Sequence, residues 1–379
     1  MGRWLLWLMA LVALLALSAC AAKEKATPAP ASPTVGAKAP WEEEWERVVV
    51  AAKREGKVAV LGPAGTAQRE TLERAFEKAF PGIDVEYLGE SGSVHARRLV
   101  EERKASIYSA DVYIGGTTTA IGDLISAGMG DPLKPALILP EVTETKNWRD
   151  GRLEFADSAR AYNLAPMPYP KTLIAYNKQA VDPKELRSLR DLLNPKWKGK
   201  LATMDPRIAG SGNATFFFYW VHPNLGEAFI GQLAAQEVRL TRDQRQIAEW
   251  VAQGAVAMAI GFGEDDMLAF AREGAPIGMI QGLEEGSPLV SGSTSVLLIN
   301  KAPHPNAAKL YINWYLSKEG QTLMSQATGF PSLRLDVGGQ YAPEHARYQA
   351  GVKYDITTYD EAAVKRKDEF VQMLGKYFK

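Results

Sequence analysis

The chain is poor in the residues that carry chemistry. Its 379 residues include a single cysteine, Cys20. That excludes an intrachain disulfide and a paired-thiol redox centre. The four histidines, His95, His222, His304 and His345, are scattered. They lack the close spacing that zinc sites use, so no metal site is expected. No G-x-S-x-G, complete G-x-G-x-x-G, Walker A or H-E-x-x-H stands in the sequence. Neither a cofactor nor a catalytic residue is therefore indicated, and a cell-surface hydrolase is a remote alternative. The 44 basic and 44 acidic residues balance to a net charge of +0. No polycationic surface is available for nucleic acid. The longest apolar run, Trp4 to Leu17, falls short of the roughly 18 residues of a spanning helix.

That run has another reading. It follows Arg3 and closes on Leu17-Ser18-Ala19-Cys20, a pattern that looks like a bacterial lipobox with small residues before a lipid-accepting cysteine. Residues 1–19 are then a lipoprotein signal peptide, and Cys20 is the lipidation site. Its removal takes away Arg3 and no acid, leaving a net charge of −1. Residues 20–40 are rich in Ala, Pro, Lys and small polar residues and read as a disordered tether. A diacylated cysteine would hold the body at a membrane face, in the periplasm or on the outer cell surface. Ala21 in place of Asp leans against inner-membrane retention in a Gram-negative host.

The whole chain is 46% hydrophobic and 23% charged, as in a soluble globular protein. After a first helix, KVAVLG, IDVEYLG and ADVYIGG read as strands, each followed by a helix. A second group of strand–helix units runs from about residue 174 to 280. This is an α/β protein with mostly parallel, helix-covered sheets. Ligands of such sheets bind at the carboxyl ends of the strands. The loops there combine Gly with Ser, Thr or Asn and run straight into helices. Free N–H groups at a helix start suit an anion.

The candidate ligand contacts follow from that rule. In the first group they are Gly65 and Thr66, then Ser91, Gly92 and Ser93, then Thr117 and Thr118. In the second group Arg207-Ile-Ala-Gly-Ser-Gly-Asn-Ala-Thr215 supplies Arg207, Ser211, Gly212, Asn213 and Thr215. Arg207 could pair with a phosphate or carboxylate. The stretch Gly261-Phe-Gly-Glu-Asp-Asp-Met267 poses a choice. Its acids either complement the dipole of a helix start, or Glu264 and Asp265 bind a hydroxyl, amine or metal of a ligand. Phe216 to Trp220 reads as core, and His95 is the one histidine near a loop of interest.

Three segments carry a resemblance. DLLNPKWKGKL (191–201), IAEWVAQGAVAMAI (247–260) and INKAPHPNAAKLYINWYLSKEGQTLMSQ (299–326) are similar to motifs of the family 1 extracellular solute-binding proteins, ferric-iron-type branch. The resemblance covers about residues 40–335. It implies a two-lobed type 2 periplasmic-binding-protein fold that feeds an ABC permease and its ATPase. Residues 41–160 plus 285–379 would form lobe one and residues 161–284 lobe two, closing on a solute by hinge bending. A monomer is expected. Iron-binding members carry adjacent tyrosines, hard donors for ferric iron, where this chain has Gly261 to Asp266. The expected cargo is therefore a small organic anion such as a sugar phosphate, phosphonate or carboxylate, with ferric iron the alternative. A signalling receptor that shows its loaded form to a membrane sensor is a third class.

Overall fold

A computed structural model describes residues 38–208, 210–356 and 359–378. Cys20, the signal peptide and all of the tether before residue 38 lie outside the described residues. Residues 40–379 form one compact unit.

The first helix, Pro40–Glu55, has acids in its first turn and bases in its last, matching the helix dipole. The first sheet runs β2-β1-β3-β13-β4, with β5 also on β13. Here β1 is Lys57–Gly62, β2 Asp84–Gly89, β3 Val112–Gly115, β4 Gly130–Asp131, β5 Asn163–Leu164 and β13 Ser295–Ile299. Strand β1 is parallel to β2 and β3, whereas β13 is antiparallel to β3, β4 and β5. The second sheet runs β11-β7-β10-β8-β9. It comprises β7 Ile174–Asn177, β8 Leu201–Met204, β9 Arg239–Thr241, β10 Met258–Ile260 and β11 Ile277–Ile280. Strands β9 and β10 are parallel to β8, and β7 is antiparallel to β10 and β11. Each sheet is therefore mostly parallel, with one strand reversed. The strands that enter after the chain passes from one sheet to the other, β7 and β13, run against their neighbours. A small sheet joins β6 (Tyr169–Pro170), β12 (Ser287–Val290) and β14 (Tyr354–Asp355) where those passages occur.

Two large apolar clusters match the two sheets. Val58, Val60, Val112, Ile114 and Val296 pack with Tyr311, Trp314 and Tyr315 of the helix Pro305–Leu316. Around the second sheet, Ile174, Leu201, Met258 and Ile260 pack with Phe216, Phe217, Phe218 and Tyr219. The aromatic run is core, as its composition implies, each buried Phe contributing about 1.5–3 kcal/mol. The last helix, Lys367–Tyr377, also packs here: Phe370 meets Phe217 at 5.1 Å and Trp220 at 5.5 Å. The family resemblance places residues 285–379 in the first lobe. The final helix instead presents Phe370, Met373 and Leu374 to the second cluster, because that aromatic helix offers it an apolar surface.

Candidate functional site

Strands β8, β9 and β10 run parallel, so their carboxyl ends share one edge of the second sheet. Three helices begin on that edge: Ser211–Val221, Gln244–Ala252 and Glu264–Arg272. The N-cap residues of the first and third are Gly210 and Gly263, which cap with no side chain. Asp243 caps the second by accepting from the Gln246 N–H at 3.2 Å. Two glycines allow this crowding. A Cβ on Gly212 would sit 2.3 Å from the Met204 carbonyl oxygen, and one on Gly261 (φ +58°) would sit 2.8 Å from the Gly212 Cα. Ser211, Gln244 and Gly263 all line one cavity of about 310 Å³.

The other walls come from elsewhere in the chain. Tyr169 lies in β6 and Lys171 directly follows it, and Thr328, Gly329 and Phe330 close the helix Lys318–Thr328. Pro343, His345 and Ala346 come from the C-terminal segment. Tyr169 and Phe330 stack with ring centres 4.2 Å apart. Burial, aided by the Glu264 and Asp265 charges, holds the Tyr169 hydroxyl well above the ordinary phenol range.

The acidic run resolves into two roles. Glu264 is pinned: one carboxylate oxygen accepts from the Thr172 N–H at 2.8 Å, the other from Lys171 Nζ at 3.3 Å. Lys171 is itself buried and donates to the Phe262 carbonyl at 2.8 Å. This pair fixes the β6–β7 connection to a helix start. Asp265 is exposed, lines the cavity and makes no hydrogen bond or ion pair among the described residues. Burial lowers the His345 pKa; the Glu264 and Asp265 charges oppose that, and Lys171 adds to it.

The remaining candidates are placed as follows. Ser211, Glu264 and Asp265 meet in the cavity. Arg207 does not: its Nε and Nη2 donate to Asp205 at 2.8 and 2.9 Å, and its Nη1 donates to the Phe378 carbonyl at 3.0 Å. A carboxylate two residues away has already taken the guanidinium fork, so it is not set up to receive an anion. Gly212 is packed on β8, Asn213 donates to the Pro206 carbonyl at 2.8 Å, and Thr215 is fully buried. These three shape the loop that presents Ser211.

The first-sheet candidates sit at the carboxyl ends of β1, β2 and β3, and none lines this cavity. Gly65 and Thr66 open a short helix. The Ser91 and Ser93 hydroxyls lie 3.3 Å apart, and a Cβ on Gly92 would strike Thr119. Thr117 is buried against the Ser291 hydroxyl at 3.1 Å, and Thr118 accepts from Lys367 Nζ at 3.2 Å. His95 is buried, with Nε2 2.9 Å from the Gly62 carbonyl. Sequence reasoning passed over Lys171, Gln244, Phe330 and His345, which stand in no motif. Among the described residues no group of three His, Cys, Asp or Glu side chains could hold a metal ion.

Comparison with known proteins decides the family. The model for bacterial extracellular solute-binding proteins matches residues 60–322. The chain belongs to that family. A Salmonella typhimurium periplasmic protein whose suggested ligand is 2-aminoethylphosphonate is 26% identical over 308 residues, 76% of this chain and 82% of that one. The substrate-binding protein of an ABC transporter from Agrobacterium tumefaciens shares the fold, with a TM-score of 0.59 at 17% identity over 85% of this chain and 94% of its own. Iron-bound HitA from Pseudomonas aeruginosa does so with a TM-score of 0.58 at 18% identity, over 85% and 99% of the two chains. This solute-binding protein is thus a two-lobed extracytoplasmic receptor that captures a small solute and delivers it to an ABC-type permease.

Proposed function

We propose that the cargo is a small organic anion, a phosphonate or phosphate ester before a plain carboxylate, held in the cavity at the edge of the second sheet. The observation that carries this reading is the meeting of three helix starts, two without a side-chain cap, on one cavity. Uncommitted N–H groups at the positive ends of helix dipoles are built for an anion. Unpaired Asp265 on the same cavity suits an amine elsewhere on the cargo. The Salmonella relative supports such a zwitterion, since its suggested ligand carries both groups.

In this reading binding is reversible capture without chemistry. The first lobe comprises about residues 41–168, which include β5, and 289–360; the second comprises about 171–286 together with the last helix. They hinge where β6 and β12 pair, and the loops at Thr66, Ser91 and Thr117 complete the site on closure. Cys20 carries the lipid that ties a monomeric receptor to its membrane.

The test is a thermal-shift panel on the chain without its first 20 residues. A bound phosphonate at about 100 times its Kd raises stability by about 2.7 kcal/mol. Ferric salts leave the protein colourless. No shift with any phosphonate or phosphate ester, or a visible charge-transfer band with iron, refutes the assignment.

A further inference from the structure

Three of the four histidines have partners. His95 Nε2 lies 2.9 Å from the Gly62 carbonyl, His304 Nδ1 lies 2.8 Å from Asp111, and His222 Nδ1 accepts from the Asn224 N–H at 3.3 Å. His345 is the exception. Its half-buried ring lines the cargo cavity and makes no hydrogen bond or ion pair among the described residues. It stands in the short turn Glu344–Ala346, beyond residue 322, where the match to the family model ends.

The charges around that ring nearly balance. Glu264 and Asp265 face it from a helix start, and Lys171 faces it from the residue after β6, with neutral Tyr169 on the same wall. On its own segment Glu344 and Arg347 are exposed, and Arg347 Nε donates to the Ala342 carbonyl at 2.7 Å. Lys171 and Glu264 pair at 3.3 Å and offset each other, which leaves Asp265. Burial outweighs that one charge and holds the imidazole below its ordinary pKa, so the ring is neutral at neutral pH. A doubly charged anion in the cavity reverses the balance, because a negative group within about 4–6 Å favours the imidazolium. A cavity of about 310 Å³ keeps a small anion near its walls. Backbone N–H groups at helix starts do not titrate. His345 adds a donor whose charge follows that of the guest.

Building on the cargo assignment above, we propose that His345 is a cargo contact that reads charge. It takes up a proton and donates to a doubly charged phosphonate or phosphate ester as that anion binds, so the site prefers a dianion to a singly charged sulfonate of the same shape.

The experiment is calorimetry on the chain without its first 20 residues, with 2-aminoethylphosphonate and 2-aminoethylsulfonate, from about pH 6.5 to about pH 8.5. If binding raises the imidazole pKa by about one unit, phosphonate affinity falls about tenfold across that range. Sulfonate affinity changes less. His345→Gln, shown to be folded by circular dichroism, flattens the phosphonate profile relative to wild type; the phosphonate's own titration is common to both proteins. In wild type, imidazole resonances followed by NMR show one histidine gaining a proton on addition of phosphonate, and that resonance is missing from His345→Gln. Parallel pH profiles in wild type and His345→Gln, or no histidine shifted by bound phosphonate, overturn the proposal and leave the cargo assignment standing. Absence of phosphonate binding to wild type at every pH overturns both.

Discussion

Asp265 and Glu264 are neighbours with different work. Asp265→Asn removes the only free carboxylate on the cargo cavity among the described residues. It is expected to weaken an aminoalkylphosphonate about tenfold and leave the plain alkylphosphonate unchanged, as read by calorimetry. Equal loss for both would remove Asp265 from an amine contact. Lys171→Met acts differently. It strands a carboxylate that is 11% exposed, and breaking a buried pair from one side costs about 3–5 kcal/mol. Chemical denaturation measures that loss. The acids were legible because three in a row after an apolar strand are conspicuous. Lys171 was not, because a lone lysine becomes a site residue only through where the chain folds it. Arg207 was misread for the complementary reason: its partner Asp205 stands two residues upstream, and side-chain pairing at that range leaves no periodic trace. Arg207→Ala should therefore loosen the chain end at Phe378 and leave anion affinity unaltered.

The last two helices act as one element with two attachments. In Glu361–Lys365, Glu361 accepts from the Ser158 N–H at 2.8 Å and its hydroxyl at 2.6 Å, and Val364 faces Gly122. In Lys367–Tyr377, Phe370 enters the second cluster, and Lys376 and Tyr377 each bond Glu227 at 3.0 Å. Phe370→Ala is expected to cost about 3–5 kcal/mol. The other end responds to acid. Bonds from Lys365 and Ser158 hold the Glu361 pKa at about 2, against 4.5 for an ordinary glutamate. A carboxyl with a depressed folded-state pKa contributes stability above the unfolded value and loses it as pH falls through the folded one. Wild type should lose more stability than Glu361→Gln between pH 4.5 and about 2. Parallel acid denaturation curves would show that this bond does not hold the helix. The amphipathic pattern announced the final helix, but not its partner. Periodicity shows which face is buried and says nothing of which core receives it. The antiparallel setting of β7 and β13 was hidden in the same way, since strand direction is decided by the connections.

At the scale of the whole molecule, two sheets with separate cores meet at a thin ribbon, β6 against β12, with the C-terminal helices as a further tie. In the proposed reading this ribbon is the hinge, and the balance between open and closed forms is set by what fills the space between the lobes. Cargo shifts that balance only by its differential affinity for the two forms. Moving the population from 1:99 to 99:1 needs about 5.5 kcal/mol, within reach of an anion on three helix starts. Small-angle scattering should therefore contract when a binding phosphonate saturates the site, and the contraction should follow the calorimetric isotherm. The tie constrains the motion. Arg366 joins its two helices in a non-helical conformation (φ −95°, ψ 1°). Lys376→Ala with Tyr377→Phe releases its far end from Glu227 without emptying the core. That pair of changes should widen the free form in scattering and weaken cargo in proportion. If scattering and affinity both stay at wild-type values, the final helix is a passive part of the second lobe and the ribbon alone governs closure.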